Sequence, residues 1–438
     1  MKSLLVCASV FAVLWLAVCF SASHRSSYAQ SLQGEAQLPA LHGAAALDHL
    51  KQTGQFDSLA EAMRQARFAI NRASVDDTQV HSQLMIDPVL SLQQKLLAKN
   101  GAAGDQLGTS VAISGETVVI GAPGRDIGTA LDQGAAFVFV RKGARWEQQD
   151  VLTPIIGGAN DKLGASVAID GDTIVVGAPG TVSLPGAAYV FVRSQSVWTQ
   201  QAKLVADDGR AGDQFGFSVA VSGNTAVVGA PDDDTLTTVI DHGSAYVFVR
   251  SGNNWTQQGK LLNVSVEPGN RLGQSVALNG NTAVIGSPGD EVNANNSQGS
   301  ATVWVRNGAT WTVQQVLTAS DGAVPDQFGF SVALQNNAVV IGAPGRRELG
   351  NFSQGAAYVF NRSGTTWTQQ HKLTPSVSEQ AAYFLFGASV APDGASVLIG
   401  APGRSVAGNP AYGQGLAYLY TFNDFTLSLQ QSARLIGV

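Results

Sequence analysis

The hydrophobic and polar positions of residues 110–152 fall into four segments. Small and apolar residues alternate in Ser110–Ile113, whereas Thr117–Ile120 and Ala135–Val140 are continuous apolar runs, and Trp146–Leu152 is the most polar. Short continuous apolar runs are typical of strands buried on both faces, and a polar strand is typical of a sheet edge. The pattern predicts a four-stranded sheet that becomes more polar from its first strand to its last.

This four-segment pattern recurs six times along the chain. A Leu-Gly or Phe-Gly pair precedes each first strand, and its glycines, spaced 56, 52, 57, 56 and 58 residues apart, are Gly108, Gly164, Gly216, Gly273, Gly329 and Gly387. Each second strand ends in Gly-Ala-Pro or Gly-Ser-Pro, which begins at Gly121, Gly177, Gly229, Gly286, Gly342 and Gly400. A period near 50 residues is typical of propeller blades. One blade cannot bury both of its apolar faces, so the blades are expected to stack and close into a ring.

The number of blades depends on how the two chain ends are used. The pentapeptide Leu90–Gln94 precedes the first unit, and the same five residues recur as Leu427–Gln431 after the last one. We expect an all-β propeller of six four-stranded blades, in which the N-terminal strand completes the last blade and the C-terminal strand lies beside it or frays. The alternative is a degenerate seventh blade built partly from residues 40–88.

The N-terminal residues differ in kind from the repeats. Residues 1–29 combine a lysine, the apolar run Leu4–Phe20 and small residues before a cleavage point after Ala29, as in a secretory signal peptide. An uncleaved membrane anchor is the alternative. Cleavage would remove both cysteines and leave no membrane span, so we expect a secreted, periplasmic or cell-surface protein.

Residues 30–88 are expected to form a helical N-terminal segment. Ser58–Glu61 has the pattern of a capping box and begins a helical run, and Leu41–Gln52 is a possible preceding helix. The segment either packs on the propeller or is loosely attached to it; a pro-region or a partner-binding arm is the alternative. The propeller itself is assigned to residues 89–438.

The paired motifs resemble the FG-GAP repeat, the blade unit of integrin α-subunit propellers. The resemblance spans about residues 89–433 and implies a β-propeller that binds ligands on the face carrying the second-to-third-strand loops and the inter-blade linkers. Proteins of this type serve adhesion, sugar binding and scaffolding. Many of their blades hold Ca²⁺ in an Asp-rich loop between the first two strands. Here that loop is a tight hairpin, as at Ser114-Gly115, so neither Ca²⁺ nor another cofactor is expected.

Composition and charge narrow the range of partners. The chain has 49 glycines and only 13% charged residues, and its hydrophobic content of 45% excludes a disordered chain. The net charge is −6 without a basic block, which argues against nucleic acid and anionic membranes as partners. A protein or a glycan is the expected ligand.

Candidate ligand contacts lie in the loops between second and third strands. They are Asp232, Asp233, Asp234, His242, Asp290, Glu291, Arg346 and Arg347. Variable loops on a rigid scaffold commonly carry binding residues. The three consecutive aspartates are a weak candidate for a cation site, and a solvated loop is the alternative; no other metal site is expected.

Two further sets recur with the repeat. An aspartate three residues before the Leu/Phe-Gly glycine either caps the inter-blade turn or rings the ligand face; it occurs as Asp105, Asp161, Asp213 and Asp326. A tryptophan at the start of the outer strand either stacks on a sugar or packs against the neighbouring blade; these are Trp146, Trp198, Trp255, Trp311 and Trp367.

No catalytic pattern accompanies the repeats. The sequence contains no HExxH or GxSxG motif and no Gly-rich phosphate loop followed by lysine. We therefore expect no enzymatic activity. The sequence favours an exported binding or adhesion module that recognises a protein or a cell surface; the alternative is a carbohydrate-binding propeller with tryptophan pockets between its blades.

Overall fold

A computed structural model describes residues 94–436 except for 182, 235–239, 264–266, 349, 376–382, 395, 404–414 and 424–427. These residues form six antiparallel four-stranded sheets, so the predicted all-β propeller with six blades is confirmed. The described residues include no seventh sheet and no helix, and hence no helix that could cross a membrane. The expected signal peptide and the expected helical segment lie outside the described residues.

Each blade is a meander of four consecutive strands. The first blade contains β1 (Val111–Ser114), β2 (Thr117–Ala122), β3 (Ala135–Lys142) and β4 (Arg145–Leu152). The second contains β5 (Ser166–Asp170), β6 (Thr173–Ala178), β7 (Ala187–Ser194) and β8 (Val197–Leu204). The third contains β9 (Ser218–Ser222), β10 (Thr225–Ala230), β11 (Ser244–Ser251) and β12 (Asn254–Leu261).

The remaining blades repeat this arrangement. The fourth contains β13 (Ser275–Asn279), β14 (Thr282–Ser287), β15 (Ser300–Asn307) and β16 (Thr310–Leu317). The fifth contains β17 (Ser331–Gln335), β18 (Ala338–Ala343), β19 (Ala356–Ser363) and β20 (Thr366–Leu373). The sixth contains β21 (Ser389–Asp393), β22 (Ser396–Ala401), β23 (Leu416–Asn423) and β24 (Ser428–Ile436).

Neighbouring blades approach each other most closely at the Gly-Ala/Ser-Pro corner. Ser110 Oγ donates a hydrogen bond of 2.8 Å to the carbonyl oxygen of Gly164 in the next blade. A Cβ atom on Gly121 would overlap that same oxygen, so only glycine permits the approach. The corresponding serine-to-glycine bonds at the next four junctions are Ser166 to Gly216, Ser218 to Gly273, Ser275 to Gly329 and Ser331 to Gly387. The repeated glycine is therefore fixed by contact between blades.

The core consists of apolar layers between adjacent blades. We call the side of a blade that meets the following blade its trailing face, and the side that meets the preceding blade its leading face. Val175 and Val190 on the trailing face of the second blade pack in one cluster with Phe215, Val228 and Tyr246 on the leading face of the third. Both sides of β2, β3 and their counterparts are buried in this way, which explains their continuous apolar runs.

The last blade is completed by the C-terminal strand. β24 pairs with β23 from Asn423↔Ser428 onward, so the expectation that the N-terminal strand fills this place was wrong. The N-terminal residues 94–98 form no strand and lie beside β4, where Gln94 Nε2 donates to the carbonyl oxygen of Trp146 at 2.8 Å. A short connection along the chain keeps the C-terminal copy of the pentapeptide next to β23, which favours local hairpin pairing over a partner from the other chain end.

Candidate ligand-binding face

The loops after second strands and the inter-blade linkers meet on one face of the propeller. The N–H of Asn160 in a linker donates to the carbonyl oxygen of Leu131 in the preceding loop, at 2.8 Å. Gly269 N–H donates in the same way to Ile240 at 3.0 Å, and Tyr383 N–H donates to Phe352 at 2.7 Å. These bonds tie the variable loops to the rigid blades, and we call the surface that they form the loop face.

Asp233, in the run of three aspartates, is buried, and one of its carboxylate oxygens has three partners. Its carboxylate accepts hydrogen bonds from Ser244 Oγ at 2.5 Å and Tyr246 Oη at 3.0 Å, and it pairs with Lys260 Nζ at 2.6 Å. Burial lowers the pKa of Lys260. The carboxylates of Asp208 and Asp233 outweigh burial through their hydrogen bonds and charges, so the pKa of Lys260 lies above its ordinary value. The lysine is thus held as a cation.

The other two aspartates of the run also have partners. Asp232 pairs with Arg271 at 2.9 Å, and the Asp234 carboxylate accepts the N–H of Asp241 at 3.0 Å. Burial raises the pKa of Asp232 despite the charge of Arg271. Among the described residues, no group of three or more His, Cys, Asp or Glu side chains has a geometry suited to a metal ion. In this arrangement the three carboxylates stabilise a loop.

His242 and Asp290 lie together inside the molecule. His242 is fully buried, and the Asp290 carboxylate accepts a hydrogen bond of 2.6 Å from Ser300 Oγ. Burial raises the pKa of Asp290, while hydrogen bonds to Ser300 and Asn263 and the nearby charge of His242 act against that rise. Glu291, the next residue, is exposed and remains available to a ligand.

Arg346 and Arg347 have different surroundings. Arg346 forms ion pairs with Asp326 at 2.7 Å, Glu348 at 2.9 Å and Asp321 at 3.0 Å, which tie the fifth-blade loop to its linker. Arg347 is exposed, and its guanidinium lies 3.6 Å from the centre of the Phe352 ring. Of the two, Arg347 is the one that a ligand can reach.

Four of the five tryptophans pack at the rim between blades. Each indole N–H donates to a glutamine on the outer strand of the preceding blade: Trp198 to Gln149 at 2.9 Å, Trp255 to Gln201 at 2.9 Å, Trp311 to Gln258 at 3.0 Å and Trp367 to Gln314 at 2.9 Å. A guanidinium covers each ring as well. This geometry matches the interpretation of rim packing between neighbouring blades.

Trp146 differs from the other four tryptophans. Its indole N–H has no hydrogen-bond acceptor among the residues that the structure describes, although its backbone is held by Gln94. The ring lines a groove of about 330 Å³ between the N-terminal residues and the first blade, together with Lys95 and Glu147. Trp146 is therefore the tryptophan whose surroundings allow a sugar to approach.

The recurring aspartates cap the turns between blades. Each carboxylate accepts a backbone N–H three residues upstream: Asp105 from Ala102 at 2.9 Å, Asp161 from Gly158 at 2.7 Å, Asp213 from Arg210 at 2.6 Å and Asp326 from Ala323 at 2.8 Å. The structural interpretation of this set is confirmed.

Among the described residues, Asp213 has no arginine partner of the kind that pairs with two of its counterparts. Asp105 pairs with Arg125 and Asp326 with Arg346, both at 2.7 Å, but the equivalent corner of the third blade holds Asp233. Burial, together with the charge of Asp233, raises the pKa of Asp213 to about 6, although its bond from the Arg210 N–H opposes the rise. The third blade thus carries a buried carboxyl whose pKa lies well above the ordinary value.

Large apolar side chains at the loop tips were not among the sequence candidates. Leu131, Ile240 and Phe352 occupy equivalent positions, three residues before the glycine that enters the third strand, and each is more than half exposed. The second and fourth blades have Ser183 and Asn296 there. Alignment of the loops places an apolar residue at this position in three blades, and this recurrence is the sequence signal that predicts the exposed tips.

The fold and its close-packed corners define a β-propeller, and comparison with known families agrees. The FG-GAP repeat model matches residues 90–139, 146–191, 198–248, 255–304, 311–360 and 367–420. The chain therefore belongs to the FG-GAP repeat family, whose fold supports a binding module in general. No curated protein matches the chain.

Proposed function

We propose that the protein is an exported, non-catalytic binding module that recognises a protein ligand, as in adhesion, through its loop face. The observation that carries the proposal is the set of exposed apolar tips at Leu131, Ile240 and Phe352. Each tip residue is anchored by a backbone hydrogen bond to its linker, so its position is fixed before a ligand arrives. Preorganised apolar side chains lose little entropy on binding and gain from leaving water.

The chemistry of these tips suits a protein surface better than an ion or a sugar. The carboxylates of the third-blade loop are already paired with donors or cations, as shown for Asp233. Ile155 and Ile156, in the first linker, are also strongly exposed. Exposed apolar residues on the loops of a rigid scaffold are suited to contact with a protein ligand.

The proposal includes export, because the sequence of residues 1–29 has the pattern of a signal peptide. It also includes action without a cofactor, because the tight hairpins between first and second strands provide too few oxygen ligands for the calcium site of related propellers. Both parts can be checked directly, by sequencing the N-terminus of the protein recovered from the medium or envelope and by calorimetric titration with Ca²⁺.

The ligand class is tested with a matched pair of variants. The purified protein is applied to an array of exported and surface proteins, and the triple variant Leu131→Ser, Ile240→Ser, Phe352→Ser is compared with the control Ser183→Ala, Asn296→Ala. We expect specific binding to fall at least about tenfold in the triple variant and to persist in the control. Equal binding by both variants would contradict the proposal.

Carbohydrate binding at the Trp146 groove is a second candidate. It is favoured by the position of the Trp146 ring along the groove and by the charged side chains of Lys95 and Glu147 beside it. Saccharides commonly stack on aromatic rings with polar groups at the edge. A glycan array read with the unchanged protein and with Trp146→Ala tests it: a signal lost in the variant supports a lectin, and no signal excludes one for the sugars presented.

A further inference from the structure

The leading face of the fourth blade carries hydroxyl groups where the other blades carry aromatic rings and methyl groups. Thr302 stands where the other five blades have an aromatic residue, and Ser287 stands where they have alanine. The strand register sets Ser287 opposite Ser300, and Thr302 follows two residues later on the same side of β15. The corner residue Asp290 joins this group, and we call the four residues the fourth-blade polar cluster. The aromatic counterparts of Thr302 are Phe137, Tyr189, Tyr246, Tyr358 and Tyr418.

The fourth-blade polar cluster is buried and only partly hydrogen-bonded. Ser287, Ser300 and Thr302 are 0% exposed, and Asp290 is 6% exposed. Ser300 Oγ donates to Asp290 at 2.6 Å, whereas the hydroxyls of Ser287 and Thr302 have no hydrogen-bond partner among the described residues. A buried hydroxyl without a partner is costly, so such groups commonly mark the place of an ordered water or an ion.

The carboxylate in this cluster has no lysine or arginine partner among the described residues. Its counterpart at the corner of the third blade, Asp233, pairs with Lys260 Nζ at 2.6 Å. On the outer strand of the fourth blade, Val316 stands at the position of Lys260. The fourth blade therefore keeps the buried carboxylate of Asp290 but has valine where the third blade has the neutralising ammonium. A buried charge without a partner of opposite sign is strongly unfavourable.

The residues around Asp290 add polar groups but little negative charge. Asn263, in the linker, hydrogen-bonds to Asp290, and it stands where the linkers to the third and fifth blades have alanine. Asn270 replaces the aspartate that caps the other inter-blade turns, which removes a carboxylate from this junction. The charged groups that act on Asp290 are His242, from the preceding loop, and Glu267. The junction thus holds one buried carboxylate among neutral oxygen and nitrogen groups.

We propose that the fourth-blade polar cluster binds a monovalent alkali cation, Na⁺ or K⁺, between the carboxylate of Asp290 and the hydroxyls of Ser287 and Thr302. The ion takes the electrostatic role that the Lys260 ammonium has in the third blade. Hard cations prefer oxygen ligands of this kind. One positive charge balances the single carboxylate, whereas a divalent ion would leave excess charge buried. The bound ion fixes the corner from which the fourth-blade loop enters the loop face.

Thermal unfolding of the full chain tests whether an alkali cation binds. The melting temperature is measured in NaCl, in KCl and in the chloride of the bulky cation N-methylglucamine, at the same pH and ionic strength. We expect it to be higher by at least about 2 °C in one of the alkali salts, because a ligand that binds only the folded state stabilises it. The salt with the larger gain identifies the ion. Equal melting temperatures in all three salts would overturn the proposal and favour a protonated Asp290 or a charged His242.

Matched variants locate the effect in the chain. Asp290→Asn and the double variant Ser287→Ala, Thr302→Val should each lose the gain in the alkali salt. The control Tyr246→Phe removes a hydroxyl at the equivalent position of the third blade, where Lys260 supplies the charge, and should keep the gain. A gain that persists in both cluster variants would place the ion elsewhere and overturn the site.

Crystals of the unchanged protein soaked in Rb⁺ or Tl⁺ give a second readout that does not depend on the folding of any variant. An anomalous peak within bonding distance of Asp290, Ser287 and Thr302 is the expected result. A peak-free map with ordered water between these groups would identify a hydration site and overturn the proposal.

Discussion

Replacing Asp213 by asparagine should stabilise the protein at neutral pH. Asp213 is buried, its neighbours include Asp233, and no arginine that the structure describes pairs with it as Arg125 pairs with Asp105. Asparagine keeps a side-chain oxygen that can accept the N–H of Arg210 and removes the charge. The chain already uses this solution, because Asn270 occupies the equivalent position before the fourth blade.

The expected gain in the free energy of unfolding, and its dependence on pH, follow from the pKa of Asp213. A rise from 3.8 to about 6 on folding corresponds to a penalty of up to about 3 kcal/mol for holding the ionised form in the folded state. Because the folded pKa lies above the unfolded one, the penalty is absent below pH 3.8, grows as the pH rises and is complete above about pH 6. Asp213→Asn should therefore add about 3 kcal/mol at pH 7.5 and about 1 kcal/mol at pH 4.5.

Urea unfolding followed by tryptophan fluorescence at these two pH values measures the effect. The matched control is Asp105→Asn, which breaks an ion pair of 2.7 Å with Arg125 and should destabilise the protein by about 1–2 kcal/mol at pH 7.5. A loss of stability in Asp213→Asn at pH 7.5, or a gain that is the same at both pH values, would refute the reasoning.

Two further predictions concern the contacts between blades. Trp255→Phe removes an indole N–H bonded at 2.9 Å to Gln201 of the preceding blade and should cost about 1 kcal/mol in the free energy of unfolding. Gln201→Ala removes the acceptor of the same bond; a Trp255→Phe loss that is unchanged in the Gln201→Ala background would argue against a role for the indole bond. Gly229→Ala places a Cβ against a carbonyl oxygen of the next blade and should lower the melting temperature strongly. Gly259→Ala is the control, because no atom lies within 4 Å of its added Cβ, and it should change the melting temperature little. Calorimetry of both variants measures the difference.

The repeat pattern was sufficient to predict the architecture. The spacing of Gly108 and its five counterparts gave six blades, and the apolar runs gave the strands buried on both faces, because these features depend on local sequence and are repeated six times. The glycine at each corner was recognisable for the same reason. The sequence could not predict which chain end completes the last blade, because Leu90–Gln94 and Leu427–Gln431 are identical. Only the pairing with β23 distinguishes the two copies.

The loop face shows where sequence alone reached its limit. The sequence identified Asp233, His242 and Asp290 as loop residues, but the structure shows that all three are buried. Asp233, for example, pairs with Lys260, which comes from a different strand. A sequence position records the residue type, whereas availability to a ligand depends on contacts between segments that the fold brings together. The sequence by itself determined the blade pattern and favoured six blades; the tertiary structure decided which loop residues face solvent, because charged groups such as Asp233 found partners within the protein, whereas apolar tips such as Leu131 and Ile240 stayed more than half exposed.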